Sequence, residues 1–336
     1  MRFGQYILRR LLLLVPQLLG ISLITFVLIH LIPGDPAYTI AGSLATEQNI
    51  RAIQHRMGLD QPLPVQYVLY LQRLSHGDLG DSYIAGRPVR DDLAERLPAT
   101  IELITISFVL AVAIAVPLGV LLAMRGGGAA QRGVMAYSLL AGAIPDFWLA
   151  LILAFVFYFQ LRWLPAPIGQ LDIAVTPPPP VTGMLLIDSL IAGDGEVLRN
   201  HLGHLILPVA TLTLLYAAPI LKMTRSSMDS VLGSGFVRYS RAAGLPTGVV
   251  VRYALRNALS PVVTLVGVLY SILLSGAVLV EQVYGWGGAG QYAVQSILNS
   301  DYLAIQGFVL VAGCFALLVY LAVDIIHMLV DPRIQH

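Results

Sequence analysis

The chain has 336 residues, 57% of them hydrophobic and 12% charged, and its mean hydropathy of +0.77 excludes an ordinary soluble domain and reads as an integral membrane protein. Its one cysteine, Cys314, excludes an intrachain disulfide and a cysteine-based metal site. The net charge of +1 points to no partner by itself, and no nucleic acid is expected.

A bilayer core of about 30 Å needs about 20 mostly apolar residues per helix. Six stretches qualify, at roughly 10–32, 100–124, 134–160, 203–223, 258–281 and 304–330. The first follows Arg2, Arg9 and Arg10 as a signal peptide would. Its apolar run from Leu11 to Ile32 is longer than the ~7–15 residues of a signal core, and no small-x-small cleavage site follows. Residues 1–32 are therefore expected to stay as helix one, followed by an outer loop over 33–98, a membrane core over 99–330 and a tail over 331–336.

The second span has Glu102 in its expected first turn, and the third carries Asp146 directly after Pro145. Between spans three and four lie "TPPPP" and "VTGMLLIDSLIAGDGE", whose apolar patch is broken by Asp188, cannot span, and is expected at the outer surface. Span four, "HLILPVATLTLLYAAPILKM", holds two prolines, which membrane helices tolerate when neighbours satisfy the freed carbonyls. "GFVRYSRAAGLPTGVVVRYALRN", from Gly235 to Asn257, follows with four arginines and no acid. Gly244 permits a sharp reversal and Pro246 stops a helix from running through, so this segment reads as helix, turn, helix. After span five, Glu281 to Tyr302 opens with a glycine-rich turn and continues as a short helix over Gln291 to Leu298. Asp324 lies near the end of span six.

With six spans, Arg2, Arg9, Arg10, Arg125, Arg132, Lys222, Arg225, Arg238, Arg241, Arg252, Arg256 and Arg333 share one side. The positive-inside bias makes that side cytoplasmic, with both termini there.

No GxxxxGK[ST] phosphate loop, GxSxG or HExxH occurs, and the sole lysine, Lys222, has no glycine loop before it. His201 and His204 share a helical face, but two imidazoles without a third ligand make a poor metal site. Glu102, Asp146 and Asp324 are the acids within spans, each with a structural explanation available: a helix N-terminus, a kink and a paired interfacial charge. Only Asp146 approaches mid-membrane, too little for an ion relay of the kind secondary carriers spread through broken helices. An ion-driven carrier stays open as the alternative class. The basic loop has three readings: topogenic charge, a helix resting on anionic lipid, and a docking element.

That loop resembles the coupling loop of ATP-binding-cassette importer permeases, in which Glu-Ala-Ala precedes a glycine by three residues. Gly244 matches the glycine, while Arg238, Tyr239 and Ser240 stand where Glu-Ala-Ala would be. It is more similar to the arginine-rich version of the dipeptide/oligopeptide permease B family, whose "RxARAKGL" and "RHALRNAxLP" become "RYSRAAGL" and "RYALRNALSP", with Ala243 and Ser260 departing. "ILRR", "LIPGDPA", "GLDQPLPVQYVLYLQRLSHGDLGDS", "RLPATIEL", "KMTRSSMDSVL", the turn after "VEQVYGW" and the terminal "DPRI" also resemble that family, most of all its dipeptide permeases.

The resemblance implies an all-α polytopic protein of the bacterial inner membrane, with six transmembrane helices in the type I importer permease fold and a long outer loop between helices one and two. It implies a non-catalytic subunit importing dipeptides or short peptides, with glutathione or nickel as alternative cargo. A homologous second permease would share the pathway, two ATPase subunits would bind ATP and Mg, and a periplasmic or lipid-anchored binding protein would deliver the peptide. No cofactor or metal is expected in this chain, and lipid surrounds it. The coupling loop, about 225–257, would present Arg238, Arg241, Ala242, Ala243, Gly244, Arg252, Arg256 and Asn257 to an ATPase. Glu281, Tyr284, Trp286, Gly288, Gly290 and Gln291 would form an outer gate or binding-protein contact, with Tyr284 and Trp286 as plain interface anchors the competing reading. Asp146, Tyr270, Ser271 and Ser275 are candidate pathway-lining residues, although Gly267, Ser271, Ser275 and Gly276 equally suit close helix packing.

Overall fold

The computed structural model describes residues 3–31, 46–57, 60–125 and 127–330. The first part of the expected outer loop, with "IPGDPA", and the 331–336 tail, with "DPRI", lie outside the described residues.

Among the described residues the regular elements are all helices, apart from one isolated bridge between Asp81 and Pro88. In order it forms α1 (Phe3–Leu31), α2 (Glu47–Met57), α3 (Leu63–Ser75), α4 (Val89–Arg125), α5 (Gly128–Ala143) and α6 (Asp146–Leu153), which continues as π-helical turns over Ala154–Gln160. Then come α7 (Leu185–Ala192), α8 (Gly195–Leu232), α9 (Gly235–Ala242), α10 (Thr247–Tyr284), α11 (Ala289–Leu298) and α12 (Tyr302–Val330). Thus the 33–98 loop contains α2, α3 and the first turns of α4. α8 and α10 have 38 residues each and are about 57 Å long at 1.5 Å per residue, longer than the apolar windows that mark them.

Five helices, α1, α4, α8, α10 and α12, are each long and apolar enough to cross a bilayer. The expected single span over 134–160 is instead two helices, α5 and α6, bent by 99°. The cause is local: Ile144, preceding Pro145, is extended at φ −90° and ψ 122°, and proline offers no N–H to continue the helix. Neither limb alone covers the ~30 Å core. The pair nevertheless crosses once. α5 starts just after Arg125, beside the arginine-rich hairpin, whereas the chain beyond α6 packs Ile168 and Gly169 against Gly285 at the opposite end. With the bent pair counted as one span, the described residues make six candidate crossings. Asp324, near the end of α12, pairs with Arg10 of α1 at 3.0 Å, so these two helices meet at the same end.

The main core lies where α4, α8 and α10 meet, around Leu103, Ile104, Leu212, Ile220, Leu273 and Leu274. Small residues let the helices approach: a Cβ on Gly267 would collide with Val323 Cγ2 of α12. Val109, Met135, Leu139, Leu140, Phe155 and Phe159 remain exposed, as suits surfaces facing lipid or another subunit. Cys314 is half-buried.

Candidate functional site

At the basic end, the hairpin between α8 and α10 is built as its punctuation predicts. α9 ends in a Schellman motif, with Gly244 N–H donating to Arg241 O at 3.0 Å and Leu245 N–H to Ser240 O at 3.2 Å. Gly244 is left-handed, at φ +74°. Pro246 then caps α10 and starts the chain in its new direction.

α9 has one buried residue, Val237, fully enclosed in a cluster with Ala123 of α4, Met228 of α8 and Val250, Ala254 and Ala258 of α10. This apolar anchor ties the hairpin to three membrane helices. The expected docking residues all point outward: Arg238, Arg241, Ala242, Ala243, Gly244, Arg252, Arg256 and Asn257 are exposed, as are Phe236, Tyr253 and Tyr239, the last at 77%. None of the four arginines has an ion-pair partner among the described residues. Arginine and aromatic residues are the types enriched at protein interfaces.

The opposite end is a buried hydrogen-bonded knot. Glu281 is 0% exposed; it accepts from Thr100 Oγ1 at 2.6 Å and from Gln291 N–H at 2.9 Å. Thr100 Oγ1 in turn accepts from Ala289 N–H at 2.8 Å. Trp286 Nε1 donates to Ala99 O at 3.1 Å, and Tyr284 Oη donates to Ala150 O at 3.0 Å. Gly288 and Gly290 sit against the Glu281 carboxylate, where a Cβ would come within 2.6 and 2.9 Å of Oε2. The glycine turn therefore folds back onto α10 and α4.

A family described as "Binding-protein-dependent transport system inner membrane component" matches residues 115–336, and "Binding-prot-dependent transport system membrane comp, N-term" matches residues 3–104. The chain belongs to this permease family. It is similar to the "Probable D,D-dipeptide transport system permease protein DdpB" of Escherichia coli (strain K12), with 42% identity covering 94% of this chain and 93% of the relative. It is 40% identical to the "Dipeptide transport system permease protein DppB" of Alkalihalophilus pseudofirmus, covering 98% and 99%. It is 39% identical to the "Di/tripeptide transport system permease protein DppB" of Pseudomonas aeruginosa, covering 98% of each. The permease is thus a multi-pass inner-membrane subunit of a transport system whose other parts include a binding protein and an ATPase.

The permease's knot changes how several residues were expected to act. Glu281, Tyr284, Trp286, Gly288 and Gly290 are buried, and only Gln291 is partly exposed, so they shape the turn after α10 from within. Nor are the two rings simple interface anchors, because both are enclosed and hydrogen-bonded. Glu102 is not in a first turn: it lies well inside α4, buried, and its Oε1 meets His201 Nε2 at 2.7 Å and accepts from Leu186 N–H at 3.1 Å. His204 pairs instead with Asp172 at 3.2 Å, so the two imidazoles of "HLGH" serve different acids.

Asp188, expected to break a surface patch, is buried in α7 and organises the turn before it. It accepts from Val181, Thr182 and Gly183 N–H groups and from Thr182 Oγ1. Burial alone would push this carboxyl up, but those donors together hold it below the ordinary value.

Of the candidate lining residues, Asp146 is half-buried beside a cavity and Ser275 is exposed. Ser271 is buried and donates to Gly267 O at 3.0 Å; Tyr270 shares a 2.7 Å hydrogen bond with Thr105. Those last two are turned into the helix packing. Lys222 and Tyr216, which line the same cavity as Asp146, were not singled out from the sequence for this role; a lone lysine inside a span was the signal available.

Proposed function

We propose that this permease is one half of the membrane pathway of an ATP-driven importer of dipeptides or short peptides. In this reading a homologous second permease completes the pathway, and two ATPase subunits dock from the cytoplasm on the basic end, where both termini lie. A periplasmic or lipid-anchored binding protein delivers the peptide to the knotted end. ATP and Mg belong to the ATPases, and this chain transmits their closure.

The observation that carries the coupling role is the hairpin itself: an exposed, unpaired arginine and aromatic surface fastened through Val237 to three membrane helices. A partner bound there pushes on α4, α8 and α10 together. The arginines would steer and register the partner's acids more than add raw affinity. Peptide cargo is supported by the names of the near-full-length relatives.

Because the residues around Glu281 are buried, contact with a binding protein would run through their exposed neighbours, such as Ile297 and Leu298 on α11. The test is reconstitution of the four-subunit complex in vesicles with its binding protein. Peptide uptake that requires internal ATP and survives a proton uncoupler supports the reading. Uptake driven by an ion gradient without the ATPases refutes it, and transport of only glutathione or nickel chelates refutes the cargo.

A further inference from the structure

Between its two ends the permease has a partly open cavity of about 290 Å³, lined among others by Ser138, Asp146, Tyr216, Pro219, Lys222 and Leu269. Tyr216 lies near mid-thickness, ~18 Å along α8 from Met228 of the basic-end cluster and ~22 Å from His201 of the knot. Asp146 and Tyr216 converge on Gly276 of α10. A Cβ there would collide with Tyr216 Oη and stand 3.0 Å from Asp146 Oδ2, so the glycine makes room for both polar groups. Lys222, the only lysine in the chain, follows ~9 Å further along α8 toward the basic end.

Neither the Asp146 carboxylate nor the Lys222 ammonium has an ion-pair partner among the described residues, although both line one cavity. Charges left unpaired within membrane spans mark substrate routes. An extended chain advances about 3.3–3.6 Å per residue, so the free termini of a dipeptide or tripeptide stand ~7–10 Å apart. Two opposite charges on the wall of one cavity suit the two termini of such a zwitterionic peptide. A bare divalent cation would find one carboxylate and a repelling ammonium, a poor donor set.

We propose that this cavity is the half-subsite this chain contributes to peptide passage, with Asp146 receiving the peptide's α-ammonium and Lys222 its α-carboxylate. Tyr216 closes the wall behind the ammonium. This rests on the peptide-importer reading above and assigns the residues that would recognise the two ends of the cargo. Asp146 also begins α6, where a carboxylate suits the helix end, so the test must separate recognition from structure.

The reconstituted complex is supplied with equal amounts of binding protein loaded with a free dipeptide, its N-acetylated form or its C-amidated form. Assembly and the binding protein's own affinities are measured in parallel. Removing one charge-assisted contact should slow uptake of the free dipeptide about tenfold or more. Asp146→Asn should slow the free and C-amidated forms while barely affecting the N-acetylated one. Lys222→Gln should slow the free and N-acetylated forms while sparing the C-amidated one. Gly276→Ala keeps both charges but crowds Asp146, so it should reproduce the Asp146→Asn pattern if that variant fails to assemble.

Equal losses for all three peptides would make Asp146 and Lys222 structural and overturn the subsite, as would unchanged rates. A wild-type complex that imports no peptide would instead overturn the importer reading itself.

Discussion

Replacing Gly244 tests the coupling hairpin at its reversal. A Cβ at Gly244 meets no atom within 4 Å, so Gly244→Ala introduces no clash, and its cost is the left-handed backbone alone. That cost is about 1–2 kcal/mol, enough to shift a local equilibrium by roughly 5- to 30-fold. Gly244→Pro is harsher. Proline holds φ near −65°, incompatible with the native +74°, and it deletes the N–H that donates to Arg241 O. The Schellman turn is lost and α9 can no longer stay aligned with α10.

Both variants should still assemble, because Val237 and its cluster are untouched. In proteoliposomes, ATPase stimulation by the loaded binding protein should fall severalfold in Gly244→Ala and below about a tenth in Gly244→Pro. Gly248→Ala is the control: it also meets nothing within 4 Å but sits in the first turn of α10, where alanine favours helix. Normal stimulation in Gly244→Pro, or an equal loss in Gly248→Ala, refutes the reasoning.

Val237→Ala should leave the arginines in place but loosen the anchor by about 1.5–3 kcal/mol, lowering peptide uptake per ATP hydrolysed; unchanged coupling would count against the anchor. Arg238→Glu with Arg241→Glu should weaken copurification of the ATPase, more so at low salt, whereas a surface serving only as topogenic charge would leave it intact. Glu281→Ala removes the acceptor of the buried Thr100 hydroxyl proton and of the partly buried Gln291 N–H, at about 1–3 kcal/mol for the buried donor, and should lower the melting temperature in detergent. The Asp188 carboxyl is held low, so its contribution is complete above the ordinary carboxylate pKa of about 3.9 and disappears as pH falls through the lower folded value. Protease cleavage near Val181 should therefore be flat from about pH 5 to about pH 8 and rise only below about pH 4, and Asp188→Asn should show the rise at every pH.

The hairpin was legible because its instructions are local: Gly244 and Pro246 end one helix and begin another, and four arginines declare the face. Apolar windows located the crossings but not the helix ends, because the flanking turns of α8 and α10 are too polar to register as membrane. A kink beside Asp146 was expected from Pro145, yet the uniform hydropathy on both sides concealed that it divides the span into two helices. The knot was opaque for another reason. Glu102 meets a histidine 99 positions away, and Glu281 meets a threonine 181 positions away; no periodicity reports such pairings. A helix N-terminus was offered for Glu102 and an exposed gate for Glu281, whereas burial beside hydrogen-bond donors also accommodates a carboxylate.

α10 runs without interruption from the turn after Gly244 to the ring of hydrogen bonds around Glu281. In the proposed coupling, this ~57 Å helix, with Pro261 within it, would act as a lever whose fulcrum is the buried carboxylate. A tilt of only ~5° about that point sweeps the arginine end through about 5 Å, while Gly276, some ~8 Å from the pivot, moves by less than about 1 Å. On that reading, large strokes at the arginine end would become fine adjustments where the cargo would pass.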